Sequence, residues 1–569
     1  MTISLPTYTG ETTSLVMLTG NFLLDALILG SKWGTGPAGT GAVVTFSFPD
    51  GLNDFDTRSG IAGNYNALES TQSGFSAFLP AFTPFGATPQ EAARHVLASW
   101  AGVANLQFNE VAPTSIDAGT LRFAFTAPPG LGETTYAVSS WPQDIAMAGD
   151  TWFNSAYIFP EGWAPGTQNF LTLLHEVGHA IGLKHPHDTG TGGSPGWPLN
   201  ASVLPFTGSD TLINYSSENM VMAYNDVPGL GSPVQADFAA TTPMRVDIAA
   251  VQYLYGANLA FNSGDTVYRY SSSARYNETI WDGGGNDTIR IDGNAASLID
   301  LTPGSWSQLG MPLTYSERDL NTLAVTQARP DLTDARTVFI YDTVLIENGI
   351  GGGGNDQLIG NYAANRLSGG GGSDRLFGGA GDDTMDGGAG IDTVAYLNTR
   401  ASYILTSNVG GLSISGIDGT DTFSGVERLQ FADRKIALDL SPSEHAGQTL
   451  EFLGVVAPAA INNPAIVGAV LNLFDQGSST RDVCQLAINI GLVGQIAGST
   501  NSIDIARMAF LNVVGVPAST EMADLLVSFM DGRNASFSQA DFLTVIAGME
   551  INQAHIGLIG LQQTGIEFI

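Results

Sequence analysis

The residues best able to do chemistry lie between positions 175 and 185, where the chain reads HEVGHAIGLKH. Histidines four apart on a helix lie on the same face, so His175 and His179 can bind one metal ion. Glu176, next to the first ligand, can handle the proton of a metal-bound water. Gly182 allows the chain to turn without a Cβ penalty and bring His185 round as a third nitrogen ligand. Three imidazoles with one open position are typical of a catalytic zinc rather than a structural one.

The segment 219–225, NMVMAYN, adds a second part to this pattern. A long histidine motif followed by a methionine turn is the signature of the metzincin proteases. By this resemblance, Met222 forms a hydrophobic floor beneath the metal, and Tyr224 resembles the tyrosine that the astacin and serralysin branches place near zinc. That resemblance implies that Tyr224 is both a zinc ligand at rest and a stabiliser of the oxyanion when substrate is bound.

Elements that could position the motif are visible upstream. Alternation of apolar and small residues predicts strands at Gly41–Phe48 and Leu121–Thr126, and helical periodicity predicts an amphipathic helix at Glu91–Trp100. The fold class expected here is an α+β catalytic domain. By resemblance, Thr151–Ala156 lies at the sheet edge, where an extended peptide substrate would add as an antiparallel strand.

The second half of the chain repeats every nine residues from Gly351: GGGGNDQLI, GNYAANRLS, GGGGSDRLF, GGAGDDTMD and GGAGIDTVA. Such an array is the signature of a calcium-binding parallel β-roll, because glycines expose carbonyl oxygens, aspartates supply hard ligands and one apolar residue points inward. The second repeat has Asn365 in the acidic position, which places its calcium site in doubt. The predicted calcium ligands of the array are Gly351, Gly353, Asp356, Gly369, Gly371, Asp374, Gly378, Gly379, Gly381, Asp383, Gly387, Gly388, Gly390 and Asp392.

An outlying repeat, DGGGNDTIR, begins at Asp282. Together with the zinc motif, the Met-Ala-Tyr turn and the segment PMRVDIAAVQYLYG from Pro243, it follows the order of serralysins. The chain thus resembles a serralysin-type secreted bacterial metalloprotease over roughly residues 40–440. This resemblance implies a further calcium site. The residue before its loop is Asn262, where the resemblance leads us to expect arginine. Its implied ligands are Gly264, Thr266, Asp282, Gly284 and Asp287.

The composition of the chain limits the kinds of partner and covalent cross-link that it can have. Lys and Arg number 21 and Asp and Glu 54 among 569 residues, for a net charge of −33, which argues against nucleic acid or an anionic membrane as partner. Divalent cations are the natural counter-charge. The single cysteine, Cys484, excludes an intramolecular disulfide. No N-terminal secretion signal is visible, and no segment has the apolar length of a membrane span.

Four domains are predicted. Residues 1–20 are consistent with a short propeptide, 21–256 with the zinc protease domain, 257–440 with the calcium-binding β-roll, and 441–569 with a helical extension containing helices at Ile503–Val514, Ser519–Met530 and Ser538–Met549. The last residues, Gly565–Ile569, resemble the uncleaved C-terminal signal of type I export substrates. The extension is interpreted either as a cap on the β-roll or as a docking module for a partner or a cell surface.

The function predicted from these patterns is a secreted, extracellular zinc endopeptidase that hydrolyses proteins or peptides. It would use one catalytic zinc, several structural calcium ions and Glu176 as general base. The alternative is a non-enzymatic, calcium-dependent surface or adhesion protein with a vestigial protease domain, which would not need Glu176 and Tyr224. The sequence does not separate a broad scavenging protease from a dedicated processing enzyme.

Overall fold

The structure, a computed structural model, describes residues 12–55, 77–112, 119–128, 130–132, 135–186, 219–223, 234–319, 322–408, 411–533, 537–561 and 564–569. The chain divides into two compact units. The first comprises Met1–Asp287 and Pro303–Ile346, and the second comprises Thr288–Thr302 and Glu347–Ile569.

The described α-helices are α1 Phe22–Leu27, α2 Ala87–Val103, α3 Gln168–Ala180, α4 Arg245–Tyr255, α5 His445–Val456, α6 Pro464–Asp475, α7 Thr480–Asn489, α8 Leu492–Ala497, α9 Ser502–Val514, α10 Thr520–Arg533, α11 Gln539–Ala547, α12 Glu550–His555 and α13 Leu558–Leu561. The strands are β1 Thr13–Leu15, β2 Ser31–Trp33, β3 Ala42–Ser47, β4 Thr83–Pro84, β5 Leu106–Glu110, β6 Leu121–Thr126, β7 Ala137–Ser139, β8 Asp150–Asn154, β9 Val234–Ala236, β10 Val267–Ser271, β11 Glu278–Ile280, β12 Thr288–Asp292, β13 Leu298–Asp300, β14 Trp306–Ser307, β15 Leu313–Arg318, β16 Val325–Asp334, β17 Val338–Ile340, β18 Asn348–Ile350, β19 Gln357–Ile359, β20 Arg366–Gly371, β21 Arg375–Phe377, β22 Thr384–Ala389, β23 Thr393–Ala395, β24 Ile404–Asn408, β25 Gly411–Ser415, β26 Thr420–Ser424, β27 Arg428–Gln430, β28 Lys435–Ala437 and β29 Ile566–Phe568.

A mixed sheet organises the first unit, in the order β5-β3-β6-β8-β7 with β4 also on β6. Strands β5, β3, β6 and β8 are parallel, whereas β7 is antiparallel to β8 and ends the sheet. The strands and helix predicted upstream of the zinc motif are present as β3, β6 and α2. The expectation for Thr151–Ala156 needs correction: β8 pairs on both sides, and the edge strand next to it is β7, Ala137–Ser139.

The helix that carries the histidine motif, α3, packs beside α2. The indole Nε1 of Trp100 on α2 donates to the Leu174 carbonyl on α3 at 3.2 Å, and both side chains are fully buried. Thr167 is the N-cap of α3, with its side chain accepting from the Phe170 amide. Because a helix end held by its cap and its packing does not move easily, the histidines are presented on a fixed face.

The second unit contains two parallel sheets, β12-β18-β20-β22-β26 and β13-β19-β21-β23-β27. Consecutive strands alternate between the sheets, so two nonapeptides add one strand to each. The apolar residue of every repeat is fully buried, as the spacing predicts; these are Leu358, Leu367, Leu376, Met385 and Val394. The array therefore has a thin apolar interior with polar turns on two edges.

Beyond the array, helices α5 to α13 pack around an apolar core that also takes Ala437 from β28 and Ile566 from β29. The three helices predicted in this region correspond to α9, α10 and α11. The last strand, β29, pairs antiparallel with β28, whose other side pairs with β27. Among the residues that the structure describes, no helix is both long and apolar enough to span a bilayer.

Deleting residues 565–569 removes β29 and leaves β28 as an open edge. We expect the unfolding free energy of the second unit to fall by about 2–4 kcal/mol, because the buried Ile566 is lost, and we expect association through the exposed edge. Thermal melting and light scattering measure both effects. Ile569→Ala, at a side chain that is 69% exposed, is the control and should melt like the parent protein; equal stability of the truncated chain would show that β29 contributes nothing.

Candidate active site

Three imidazole rings meet at one point in the first unit. His175 and His179 lie on α3, and the Nε2 atom of His185 is 3.0 Å from the Nε2 atoms of both. Nitrogens bound at about 2.0–2.1 Å to a tetrahedral zinc are ~3.3 Å apart. The three ring nitrogens therefore fit one zinc ion, as the spacing predicts, and they are the histidine cluster able to hold a metal among the described residues.

The opposite ring nitrogens fix the direction of the lone pairs. His175 Nδ1 lies 2.8 Å from the Val221 carbonyl, and His179 Nδ1 lies 2.9 Å from the Leu183 carbonyl. Because a carbonyl only accepts, each Nδ1 carries the proton and each Nε2 directs a lone pair into the cluster. This is the tautomer that a metal ligand requires.

Gly182 makes the turn that returns His185 to the helix. Its φ is +109°, and a Cβ there would lie 2.5 Å from the Ser31 carbonyl oxygen, so the predicted need for glycine is met. Two hydrogen bonds hold the end of the helix before this turn. Trp33 Nε1 donates to the Ala180 carbonyl at 2.7 Å, and the Tyr255 hydroxyl donates to the Ile181 carbonyl at 2.8 Å. Sequence reasoning missed both residues, since nothing local connects them to the motif.

Met222, the residue predicted to form the floor of the site, packs against the helix that carries the histidines. Met222 is fully buried, and a Cβ at Gly178, inside the zinc motif, would lie 2.5 Å from its sulfur. Asp247 Oδ2 accepts from the Val221 amide at 2.6 Å, and the Val221 carbonyl in turn contacts His175. Gly178 and Asp247 were also missed, although a glycine in mid-helix is itself a signal of close packing. Tyr224 lies outside the described residues, so its roles stay predictions.

Glu176 is the carboxylate of the site. It is 5% exposed, and within the described chain its Oε2 has no hydrogen-bond partner. Burial raises its pKa to about 8, and the Ser139 hydroxyl partly opposes that rise. Ser139 ends the edge strand β7 and hydrogen-bonds the Thr151 hydroxyl at 2.8 Å. A neighbouring dication would favour the charged carboxylate and lower this pKa, so the group is suited to exchanging a proton.

The outlying repeat lies close to the loop before it, as the resemblance implies. Asp287 Oδ1 accepts from the Thr266 amide at 2.7 Å, and a Cβ at Gly285 would lie 2.8 Å from both Asp287 Oδ1 and the Gly264 carbonyl oxygen. Asp282 Oδ1 instead accepts from the Gly284 amide, and its Oδ2 accepts from the Tyr268 hydroxyl at 2.6 Å. The structure thus groups Gly264, Thr266 and Asp287 and holds Asp282 beside them through Tyr268.

The repeat aspartates form a ladder along each edge of the array. Asp374 Oδ1 accepts from the Asp356 amide, and Asp392 Oδ1 accepts from the Asp374 amide, both at 2.7 Å. The remaining Oδ2 atoms of Asp374, Asp383 and Asp392 are buried without a hydrogen-bond partner in the described part of the chain. Burial raises the pKa of Asp374 and of Asp383 to about 7. Such oxygens fit a bound cation.

The first glycine of a repeat leaves room for these oxygens. A Cβ at Gly369 would collide with Asp374 Oδ2 and lie 2.6 Å from the Gly387 carbonyl oxygen of the next layer. Gly351 and Gly387 repeat this environment, and Gly378 contacts Asp383 Oδ2 in the same way. Others among the predicted glycines, Gly379, Gly381, Gly388 and Gly390, have positive φ. Gly353 and Gly371 lie in the same turns. A Cβ at Gly353 would collide with the Asn294 side chain, whereas a Cβ at Gly371 would make only ordinary contact with Gly353 Cα at 3.7 Å.

The doubt about Asn365 has a physical basis. Its Oδ1 accepts from the Asn361 amide at 2.7 Å, and its Nδ2 donates to the Glu347 carbonyl at 3.0 Å. The side-chain nitrogen of Asn365 therefore donates a hydrogen bond at the position where an aspartate oxygen would offer a lone pair to a cation. This layer gives a cation one carboxylate fewer than its neighbours do.

The chain was compared with known protein families and proteins. The family model of the RTX calcium-binding nonapeptide repeat matches four copies, at residues 274–290 and 359–394. The chain is 35% identical over 332 residues to Metalloprotease AprA of Pseudomonas entomophila, covering 55% of this chain and 61% of that protein. It is 33% identical over 354 residues to Serralysin of Proteus mirabilis, covering 58% and 61%.

The predicted resemblance to serralysins is confirmed. A third relative, Serralysin B of Dickeya chrysanthemi, is 33% identical over 54% of this chain and 60% of its own length. The chain thus spans about three-fifths of the serralysins it matches. The RTX match likewise confirms the predicted calcium-binding repeats.

Gly178→Ala tests the packing beneath the histidines. Because the added methyl group meets the buried Met222 sulfur, we expect a loss of about 1–3 kcal/mol in unfolding free energy and weaker zinc binding. Denaturant unfolding and metal analysis measure these. Gly86→Ala, where a Cβ has open space, should be nearly neutral, and Met222→Ala should partly rescue Gly178→Ala. If adding Met222→Ala to Gly178→Ala does not restore any of the lost unfolding free energy, the packing argument is wrong.

Proposed function

We propose that this chain is a secreted zinc endopeptidase that hydrolyses peptide bonds in proteins and is stabilised by calcium. The observation that carries the proposal is the convergence of three histidine Nε2 atoms beside a buried carboxylate, Glu176, whose Oε2 has no partner in the described chain. The similarity to metalloproteases of the serralysin type supports it.

His175, His179 and His185 would hold the zinc ion, which when bound polarises a water molecule and the scissile carbonyl. Glu176 would accept the proton of that water and deliver it to the leaving amine. We propose Tyr224 as a ligand at rest and as a hydrogen-bond donor to the oxyanion during reaction. Ser139 would orient Glu176 through the hydrogen bond between its hydroxyl and that carboxylate.

The substrate would bind as an added strand on β7. That strand ends the sheet, and its last residue, Ser139, lies beside Glu176. Main-chain pairing holds many sequences with little side-chain selectivity, which suits a protease. With the peptide antiparallel to β7, residues C-terminal to the scissile bond would extend towards Ala137.

The repeats would form a calcium-binding β-roll. Its proposed ligands are backbone carbonyl oxygens of the repeat glycines and the carboxylate oxygens of Asp374, Asp383 and Asp392 that have no partner in the described chain. The Gly264–Asp287 region is proposed as a separate calcium site. Low cytosolic calcium would leave the acidic array loose for type I export, and calcium outside the cell would fold it. The domain boundaries at 20, 256 and 440, and docking by the helical tail, stay predictions.

Glu176→Gln tests the role of the base. The amide keeps the shape of the side chain but cannot take a proton, so we expect casein hydrolysis to fall by about 10²–10⁴-fold with zinc content unchanged. The matched control is Glu91→Gln, at an exposed position on α2, which should keep full activity. Hydrolysis that survives in Glu176→Gln would rule out this base, and hydrolysis by the parent protein that resists chelation would rule out zinc.

Removal of calcium tests the array. Because buried carboxylate oxygens lose their counter-charge, the melting temperature of the full chain should fall in chelator and recover when calcium is added back. Asp374→Asn should shrink this calcium-dependent shift, while Asp524→Asn, exposed on α10, should leave it unchanged. A melting curve indifferent to calcium would contradict the β-roll proposal.

A further inference from the structure

The chain returns to the array after its last recognisable repeat. Past Ala395 it forms the hairpin strands β24 and β25, and then residues 416–430, GIDGTDTFSGVERLQ, add one more strand to each parallel sheet. We name residues 416–430 the returning segment. The family match ends at residue 394, and the predicted calcium ligands end at Asp392. The returning segment therefore has no assigned role.

On one edge the returning segment repeats the aspartate ladder. The pairing Met385↔Phe423 aligns Asp421 with Asp383. Asp421 Oδ1 accepts from the Asp383 amide at 3.1 Å, as Asp383 Oδ1 accepts from the Asn365 amide at 2.8 Å. Asp421 is also buried. The side chain thus occupies the acidic position of a further layer, 38 residues from its partner instead of 18.

The backbone turn of that layer matches too. Gly419 has φ of +139°, close to the +141° of Gly390 at the fourth position of a repeat, and a Cβ there would collide with the Gly381 carbonyl oxygen. The Thr420 amide donates to Asp382 Oδ1 at 2.8 Å, as the Ser373 amide donates to Asn355 Oδ1. Residues 416–424 are therefore a repeat in geometry, although only Gly416, Gly419, Asp421 and Phe423 keep its sequence pattern.

On the opposite edge the layer is completed differently. The pairing Val394↔Leu429 aligns Glu427 with Asp392, and Glu427 Oε2 accepts from the Asp392 amide at 2.8 Å. A Cβ at Gly387 would collide with the Gly425 carbonyl oxygen and lie 2.8 Å from Asp392 Oδ2. An equivalent pair of oxygens lies around Gly369, where one is the Gly387 carbonyl of the neighbouring layer and the other is Asp374 Oδ2 of the same repeat.

Asp383 and Asp392, whose amides donate to Asp421 and Glu427 of this final layer, each keep one buried carboxylate oxygen without a partner. Asp383 is 1% exposed and Asp392 is 0% exposed, and neither Oδ2 has a hydrogen bond within the described chain. Asp421 differs, because its Oδ2 accepts from the Tyr396 hydroxyl at 3.0 Å. Each oxygen of Asp421 thus accepts one hydrogen bond and keeps a further lone pair for a cation. The tyrosine marks the end of the ladder on that edge.

We propose that the returning segment is the closing layer of the array and completes one further calcium site on each edge. One site takes carboxylate oxygens from Asp383 and Asp421. The other takes Asp392, Glu427 and the Gly425 carbonyl. All these donors are oxygens, two of them on each edge from carboxylates, which is the ligand chemistry of calcium. The inference rests on the proposed calcium binding of the repeats and extends it past the hairpin.

The test is calcium stoichiometry of the full chain, stripped with chelator and then measured by equilibrium dialysis with elemental analysis. Asp421→Asn and Glu427→Gln should each bind one calcium fewer per chain, and the double variant two fewer. Each amide keeps an oxygen to accept the backbone hydrogen bond but removes a ligand charge, so a merely structural role would leave the count unchanged. Asp524→Asn is the matched control and should keep the parent count.

A second readout does not depend on these variants folding well. Terbium bound in place of calcium should show tyrosine-sensitised emission, and Tyr396→Phe should lower that emission without changing the number of ions bound. Unchanged stoichiometry in Asp421→Asn and in Glu427→Gln, with calcium bound by the parent protein, would overturn the closing layer. A parent protein that binds no calcium would instead overturn the proposed function of the whole array.

Discussion

Groups of like polarity are held close together at both candidate metal centres, and the surrounding structure depends on that constraint. Nitrogen lone pairs of three histidines converge at about the spacing of a zinc tetrahedron, and carboxylate oxygens of Asp374 and Asp392 are buried near backbone carbonyls. Such clusters repel in a low-dielectric interior, and a cation turns the repulsion into attraction. The backbone holds these groups from behind, through carbonyls on the Nδ1 atoms of His175 and His179 and through amides on the carboxylate Oδ1 atoms of Asp374 and Asp392.

Close approach then dictates where side chains must be absent. At Gly178 a Cβ would meet the Met222 sulfur, at Gly182 it would meet the Ser31 carbonyl, and at Gly369 it would meet a ligand oxygen. The glycines are thus a consequence of the metal geometry. Between the two polar edges of the array, buried residues such as Leu376 fill a thin core, so apolar packing and cation binding stabilise the same turns.

What the sequence could predict is what it encodes locally. The histidine spacing, the turn at Gly182 and the nonapeptide register each follow from a period within one element, and the described structure agrees with all three. Asp247, Trp33 and Tyr255 contribute through contacts with distant parts of the chain, which no local period reveals. The edge strand was misplaced by one strand because the order of strands in a sheet is a tertiary property, and the returning segment was missed because a hairpin breaks the nine-residue period.

The proposed export signal at the end of the chain and the strand that the structure shows there exclude each other in a single state. An export signal at Gly565–Ile569 would have to be readable as an unpaired chain, yet here Ile566–Phe568 is a strand on β28 and Glu567 pairs with Arg434. With an export signal at this position, as proposed above, hydrogen bonding of this strand would require that export precede folding of the second unit. A calcium-dependent array supplies that order, because the layers that carry β28 would be complete only where calcium is abundant. Under this proposal the closing strand depends on the same constraint as the repeats, because the buried carboxylates would have to be neutralised before the sheet that receives β29 could form.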